Sequence, residues 1–175
     1  MARTAEHQLL LGEWACLGIL CAKPSHGFAI AALLKPEGEV GRVWSLSRAL
    51  TYRALDQLTQ RGYVQPKGEE PGIAGGNRTI LAPTRSGRAH LKKWLDQPVG
   101  HLRDVRSELL LKVVLADMNG VDTTAMLVAQ RDSFAPMAAR LAAQDDTADP
   151  VAMWRIESSQ AAVRFVERLL AAREC

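Results

Sequence analysis

The stretch from residue 45 to residue 83 limits what this chain can fold into more than any other part of it. It reads Ser-Leu-Ser-Arg-Ala-Leu-Thr-Tyr-Arg-Ala-Leu-Asp-Gln-Leu-Thr-Gln-Arg-Gly-Tyr-Val, crosses a glycine-rich gap, and resumes as Asn-Arg-Thr-Ile-Leu-Ala-Pro. A helix starts near Ser47. On its wheel Leu50, Ala54, Leu55 and Leu58 fall on one side, and Arg48, Ala49, Tyr52, Arg53, Asp56 and Gln60 on the other. Gly62 suits the position just past a helix end, where a left-handed backbone is needed. Residues 63–66 then read as a short strand. Gly68, Pro71, Gly72, Gly75 and Gly76 leave the next stretch without regular structure, and residues 78–82 read as the returning strand. Helix, strand, flexible tip and strand is the order of a recognition helix followed by a β-wing.

Charge follows the same division. The 175 residues carry a net +3, but residues 1–98 hold 13 Lys/Arg against 8 Asp/Glu, while residues 99–175 hold 9 against 11. Residues 42–93 alone hold 10 basic and 3 acidic side chains. A basic first half beside a slightly acidic second half points to a polyanion met by the first half only. Arg48 and Arg53 can fork onto a base edge or a phosphate, the Tyr52 hydroxyl can reach phosphate, and Ser47 sits at the helix N-terminus where an anion is welcome. Lys67, Asn77 and Arg78 flank the glycine-rich tip. Asp56 runs against this pattern, since a carboxylate on the same face repels phosphate. An ordinary solvated helix face and a passive hairpin loop account for the same residues.

The rest of the chain reads as helices. Residues 9–22 have helical apolar spacing, Ser25 is placed to cap a helix through Leu34, and a helix ending at Leu95 follows Thr84-Arg85-Ser86-Gly87. Gln97-Pro98-Val99-Gly100 is the expected boundary between two domains. Beyond it, residues 107–118 are apolar on nearly every face and must be covered on most of them. Asp122 can cap a helix through about Gln144, which Pro136 should kink or split, and Asp149-Pro150 opens the last helix. That helix carries an apolar stripe from Trp154 to Leu170, broader than one intramolecular contact needs.

Other chemistry finds little support. Cys16, Cys21 and Cys175 form no CxxC pair and read as structural thiols. His7, His26, His90 and His101 show no metal-ligand spacing, and Ser158-Ser159 lacks a nucleophile context, so no metal, no cofactor and no enzymatic activity are expected. No apolar run reaches the length of a membrane span and no secretory leader is evident, so a cytoplasmic location is expected. Trp14, Trp44, Trp94 and Trp154 read as packing residues; Trp14 and Trp154 are also candidates to wall a cavity for a small aromatic effector.

Several segments together carry a resemblance: Pro24-Ser25-His26-Gly27-Phe28-Ala29-Ile30, Thr51-Tyr52-Arg53-Ala54-Leu55-Asp56-Gln57-Leu58 closing on Gly62-Tyr63-Val64, Arg78-Thr79, and Leu81-Ala82-Pro83-Thr84-Arg85-Ser86-Gly87. They resemble the PadR family of winged-helix transcriptional regulators. Val105-Arg106-Ser107-Glu108-Leu109-Leu110-Leu111-Lys112 resembles the opening of the longer C-terminal helical domain of one PadR subfamily. Two features depart from the family: Ala49-Leu50-Thr51 stands where a Gly-Thr pair is usual, and the wing tip lacks a run of arginines. The resemblance implies a homodimer joined through C-terminal helices, and a small-molecule or stress signal that weakens DNA binding.

The expected architecture is mainly α with a small β-wing: a winged helix-turn-helix domain over residues 5–98 and an all-helical dimerisation domain over residues 101–173. The expected partner is double-stranded DNA, bound as a palindromic operator by a repressor. A MarR-type module or a winged helix used for protein contacts is the alternative; MarR-type chains place a dimerisation helix before the winged helix, where this chain has only a short segment.

Overall fold

The structure, a computed structural model, describes residues 8–72, 76–143 and 149–173. Three helices, α1 (Leu11–Ala22), α2 (Gly27–Leu33) and α3 (Arg48–Gln60), precede an antiparallel hairpin of β1 (Val64–Pro71) and β2 (Asn77–Pro83). Helix α4 (Arg85–Leu95) follows, then a short 3₁₀ turn and a π turn at Val105–Leu109 that leads into α5 (Leu110–Met118). Helices α6 (Thr124–Ala142) and α7 (Pro150–Ala171) complete the chain. The molecule is thus mainly α with a two-stranded wing, in the order of a winged helix followed by a helical extension.

Local chemistry explains most boundaries. Ser47 Oγ accepts the Leu50 N–H at 3.3 Å, and Gly62 takes φ +73° just after α3, so the helix is closed at both ends by the residues suited to it. Thr84 ties three elements together. Its hydroxyl donates to the Gly62 carbonyl at 2.7 Å and accepts the Gly87 N–H at 3.0 Å, capping α4 while anchoring it to the end of α3. A Cβ on Gly87 would lie 2.2 Å from the Tyr63 carbonyl oxygen, so α4 meets the wing root closely enough to exclude a side chain. Asp149 caps α7 through the Val151 and Ala152 N–H groups, with Pro150 at its first position.

Four local expectations are corrected. His26, not Ser25, caps α2: its Nδ1 accepts the Ala29 N–H at 3.1 Å. Ser25 instead exchanges backbone hydrogen bonds with Leu81 (3.1 and 3.0 Å), adding a one-residue bridge to the edge of β2 that holds its backbone extended. Leu50 is half-exposed, and Thr51 takes its expected core position, fully buried with its hydroxyl donating to the Ser47 carbonyl at 3.0 Å. The strand expected to stop near Pro66 runs on to Pro71. Lys67 is the extra residue of a bulge, after which pairing resumes from Gly68↔Ile80 to Pro71↔Asn77. Backbone pairing across the hairpin overrides the local preference of its glycines; residues 73–75 lie outside the described residues. Finally, of the kink or split expected at Pro136 the split does not occur: α6 is one helix through it. Pro136 and Asp132 are both exposed, so the Asp132 carbonyl that loses its N–H partner lies on the water side of the helix. Gln144, the expected end of α6, lies outside the described residues.

Helix α5 explains its own all-round apolar character. Leu111, Leu115 and Ala116 belong to the core of α1–α4, whereas Leu109 and Val113 belong to a second core with Val99, Met126, Leu127, Phe134, Ala162 and Val166. Its contact with α1 is close: a Cβ on Gly18 would fall 2.6 Å from Leu115 Cδ1, and Asn119 Nδ2 donates to the Gly18 carbonyl at 3.1 Å. The connection after α4 is held by buried polar groups. Gln130 accepts the Val99 N–H at 2.7 Å and donates to the Val99 carbonyl at 3.1 Å, and Lys112 Nζ donates to the Gln97 carbonyl at 2.6 Å.

Candidate nucleic-acid interface

The exposed side of α3 and the wing enclose one groove of about 470 Å³, whose walls include Arg48, Tyr52 and Asp56 from α3, His26, Gly27 and Phe28 from the start of α2, and Asn77 and Arg78 from β2. Four of the seven residues singled out from the sequence, Arg48, Tyr52, Asn77 and Arg78, therefore meet in one place. Ser47 stands at its helix end, its hydroxyl already engaged as the cap. The other two lie apart. Lys67 is exposed at the wing bulge, and Arg53 lines a second groove on the far flank of α3.

Phe28 organises the groove. Its ring is half-exposed, with the Arg48 guanidinium 5.4 Å and the Arg78 guanidinium 5.6 Å from its centroid. Arg48 also lies 5.8 Å from the Tyr52 ring centroid. A cation held over an aromatic face keeps its charge while losing little hydration, so two arginines are oriented on either side of the groove with their outer edges still able to donate. Tyr52 is seated by Gly27: a Cβ there would lie 2.8 Å from the Tyr52 ring. Spacing in the sequence could not single out Phe28, because it reaches Arg78 only when the hairpin folds back onto α2.

The wing root is held by a polar cluster. With His26 Nδ1 accepting from Ala29, a neutral ring carries its proton on Nε2, which points at Glu70 Oε1 at 3.0 Å. Arg78 Nη1 lies 3.4 Å from the same nitrogen. Asn77 Nδ2 donates to Glu69 Oε2 at 2.9 Å across the strands. Asn77 thus has a partner within the wing, while Arg78, which cannot donate to a nitrogen that is itself a donor, is placed by the Phe28 ring. Among the described residues, Arg48, Arg53 and Lys67 make no ion pair.

Trp14 and Trp154, the two candidates to wall a cavity, do not meet: one is buried and the other exposed. Trp14 is buried in a stack, 4.5 Å from the Trp94 centroid and 4.9 Å from that of His90, and His90 stacks in turn on Tyr63 at 4.6 Å. Lys112 Nζ closes the column 4.8 Å from the Trp94 ring. Trp154, on α7, is 71% exposed. Burial pushes the Cys16 thiol up to about 12 and that of Cys21 up to about 11, so neither is a ready nucleophile; Cys175 lies outside the described residues. Among the described residues no group of three His, Cys, Asp or Glu side chains could hold a metal ion, and no helix is long and apolar enough to cross a membrane.

No protein-family model matches the chain, and no curated protein matches it. Among solved structures it is similar to Bacillus subtilis PadR in complex with operator DNA, at 20% identity over 90% of this chain and 97% of that one, with a TM-score of 0.47. It is similar also to the Vibrio cholerae virulence activator AphA (19% identity, 94% and 98% covered, TM-score 0.43). A third such structure is a PadR-like transcriptional regulator from Bacillus cereus (18% identity, 96% and 98% covered, TM-score 0.43).

Proposed function

We propose that the chain is a sequence-specific DNA-binding transcriptional regulator of the PadR type, acting as a homodimeric repressor on a palindromic operator and relieved by a small-molecule signal. The observation that carries this reading is the shared groove: two arginines oriented by one phenylalanine, one from the exposed helix and one from the wing, with Tyr52 beside Arg48. Residues 5–98 form the DNA-binding part, with α3 entering the major groove and the β1–β2 wing following the backbone. Ser47, Arg48, Tyr52 and Arg53 act from the helix; Lys67, Asn77 and Arg78 act from the wing. Residues 101–173 form the dimerisation part. Val151, Met153 and Trp154 leave an apolar patch at the start of α7, which supports burial against a second copy.

The test is fluorescence anisotropy with a labelled duplex from upstream of the protein's own gene and a scrambled duplex of equal length, over a salt series. Tighter binding to the first, with log affinity falling linearly in log salt, is expected. Equal affinity for both duplexes at every salt concentration would refute operator recognition.

A further inference from the structure

The second groove, on the opposite flank of α3, has a different character. It encloses about 660 Å³, within the roughly 300–1,000 Å³ usual for ligand sites. Leu10, Leu46, Leu50 and Trp44 make its apolar walls, and Leu10 and Leu50 stay 72% and 50% exposed. Three charged side chains, Glu13, Arg53 and Arg61, share its rim. Glu13 is buried and already committed: it accepts the Leu10 N–H at 2.8 Å and lies 3.6 Å from Arg61 Nη1. Arg53 is exposed and, among the described residues, makes no ion pair. The site thus offers an apolar trough beside one uncommitted guanidinium.

We propose that this groove binds a small amphipathic anion, an apolar body carrying one carboxylate or sulfonate, and that this ligand and DNA compete for Arg53. The body would displace water from the leucines and Trp44, and the head would fork onto Arg53. This rests on the DNA-binding reading, because Arg53 points from the helix assigned to DNA. It makes the effector site local: derepression follows from occupation of a DNA-contacting side chain, with no rearrangement of the helical extension needed.

Decanoate is the probe, with 1-decanol and decyltrimethylammonium as uncharged and cationic counterparts, read by tryptophan fluorescence on the full chain. Saturable quenching by decanoate is expected, abolished in Trp44→Phe and absent with decyltrimethylammonium. Leu10→Ala, at an exposed position outside the DNA-facing groove, should weaken decanoate about tenfold while leaving DNA affinity unchanged, since it removes part of the apolar wall and adds no charge. A labelled duplex selected from a random library should lose affinity as decanoate saturates, about fivefold or more and with the same midpoint as the quenching, because linkage makes the two one event. Equal binding of all three compounds, quenching indifferent to Leu10→Ala, or DNA affinity unchanged at saturating decanoate would each overturn the proposal. A protein that binds no duplex even without decanoate would refute DNA binding and the competition with it, while the quenching arm judges the groove by itself.

Discussion

Replacing Lys112 separates the value of its charge from that of its stem. The side chain is 1% exposed, with Nζ 2.6 Å from the Gln97 carbonyl, 3.0 Å from Glu108 Oε1 and 4.8 Å from the Trp94 centroid. The head gains a charged hydrogen bond of about 1.5–3 kcal/mol and a cation–π contact of about 1 kcal/mol. Taking an ammonium out of water costs several kcal/mol, so the head as a whole comes out near zero. The buried methylenes beyond Cβ contribute roughly 2–3 kcal/mol. Lys112→Met keeps the stem but leaves the Gln97 carbonyl and the Glu108 carboxylate without their donor and should cost about 1–3 kcal/mol, whereas Lys112→Ala, which loses the stem as well, should cost about 2–3 kcal/mol more. Urea unfolding followed by circular dichroism measures both. Equal losses in the two variants would refute the reasoning, because the charge would then be what the site requires.

The pH dependence supplies a second check. Burial holds the Lys112 ammonium below its ordinary 10.5, with Glu108 opposing the shift. Between the lowered folded value and 10.5 the unfolded chain binds more protons than the folded one, so stability rises with pH across that window. Wild type should therefore gain on Lys112→Met as pH climbs from neutral toward 10.5. A difference that shrinks instead would contradict the burial of the charge.

Gly87→Ala places a Cβ 2.2 Å from the Tyr63 carbonyl oxygen and should cost about 1–3 kcal/mol of overpacking, seen as a lower Tm; an unchanged Tm would mean that α4 and the wing root meet more loosely. Arg78→Ala should weaken specific and scrambled duplexes equally and lower the salt slope by about one, whereas loss confined to the specific duplex would make Arg78 a reader of bases. Trp154→Glu, changing a 71% exposed side chain, should shift sedimentation from dimer to monomer with the helical signal intact; a wild-type dimer constant would remove α7 from the interface. In Cys175→Ser protein, Cys16 and Cys21 should react slowly with a thiol reagent at pH 8 when folded and rapidly in urea, given thiols raised to about 12 and 11. Fast reaction of the folded protein would show that α1 opens.

What the sequence determined by itself is whatever a few neighbouring residues decide. Ser47 capping α3, the left-handed Gly62 behind it, Thr84 opening α4 and Asp149-Pro150 opening α7 are all contacts within four residues or intrinsic backbone preferences, and each stands where the pattern put it. The basic exposed face of α3 was legible for the same reason, since a helix period assigns faces without knowledge of a partner. Tertiary structure decided everything that depends on what lies opposite. Thr51 rather than Leu50 faces the core, because α3 lies against α1 and α2 in a way its own wheel cannot record. Ser25 gave up the cap to His26 because Leu81, far along the chain, claimed its backbone. The glycine-rich strand persists to Pro71 because β2 pairs with it, and α5 is apolar all round because it serves two cores at once. The candidate site divides the same way: its arginines could be named from charge and periodicity. Phe28 joining Arg48 to Arg78, and Arg53 turned to a separate apolar trough, exist only after distant segments are packed together.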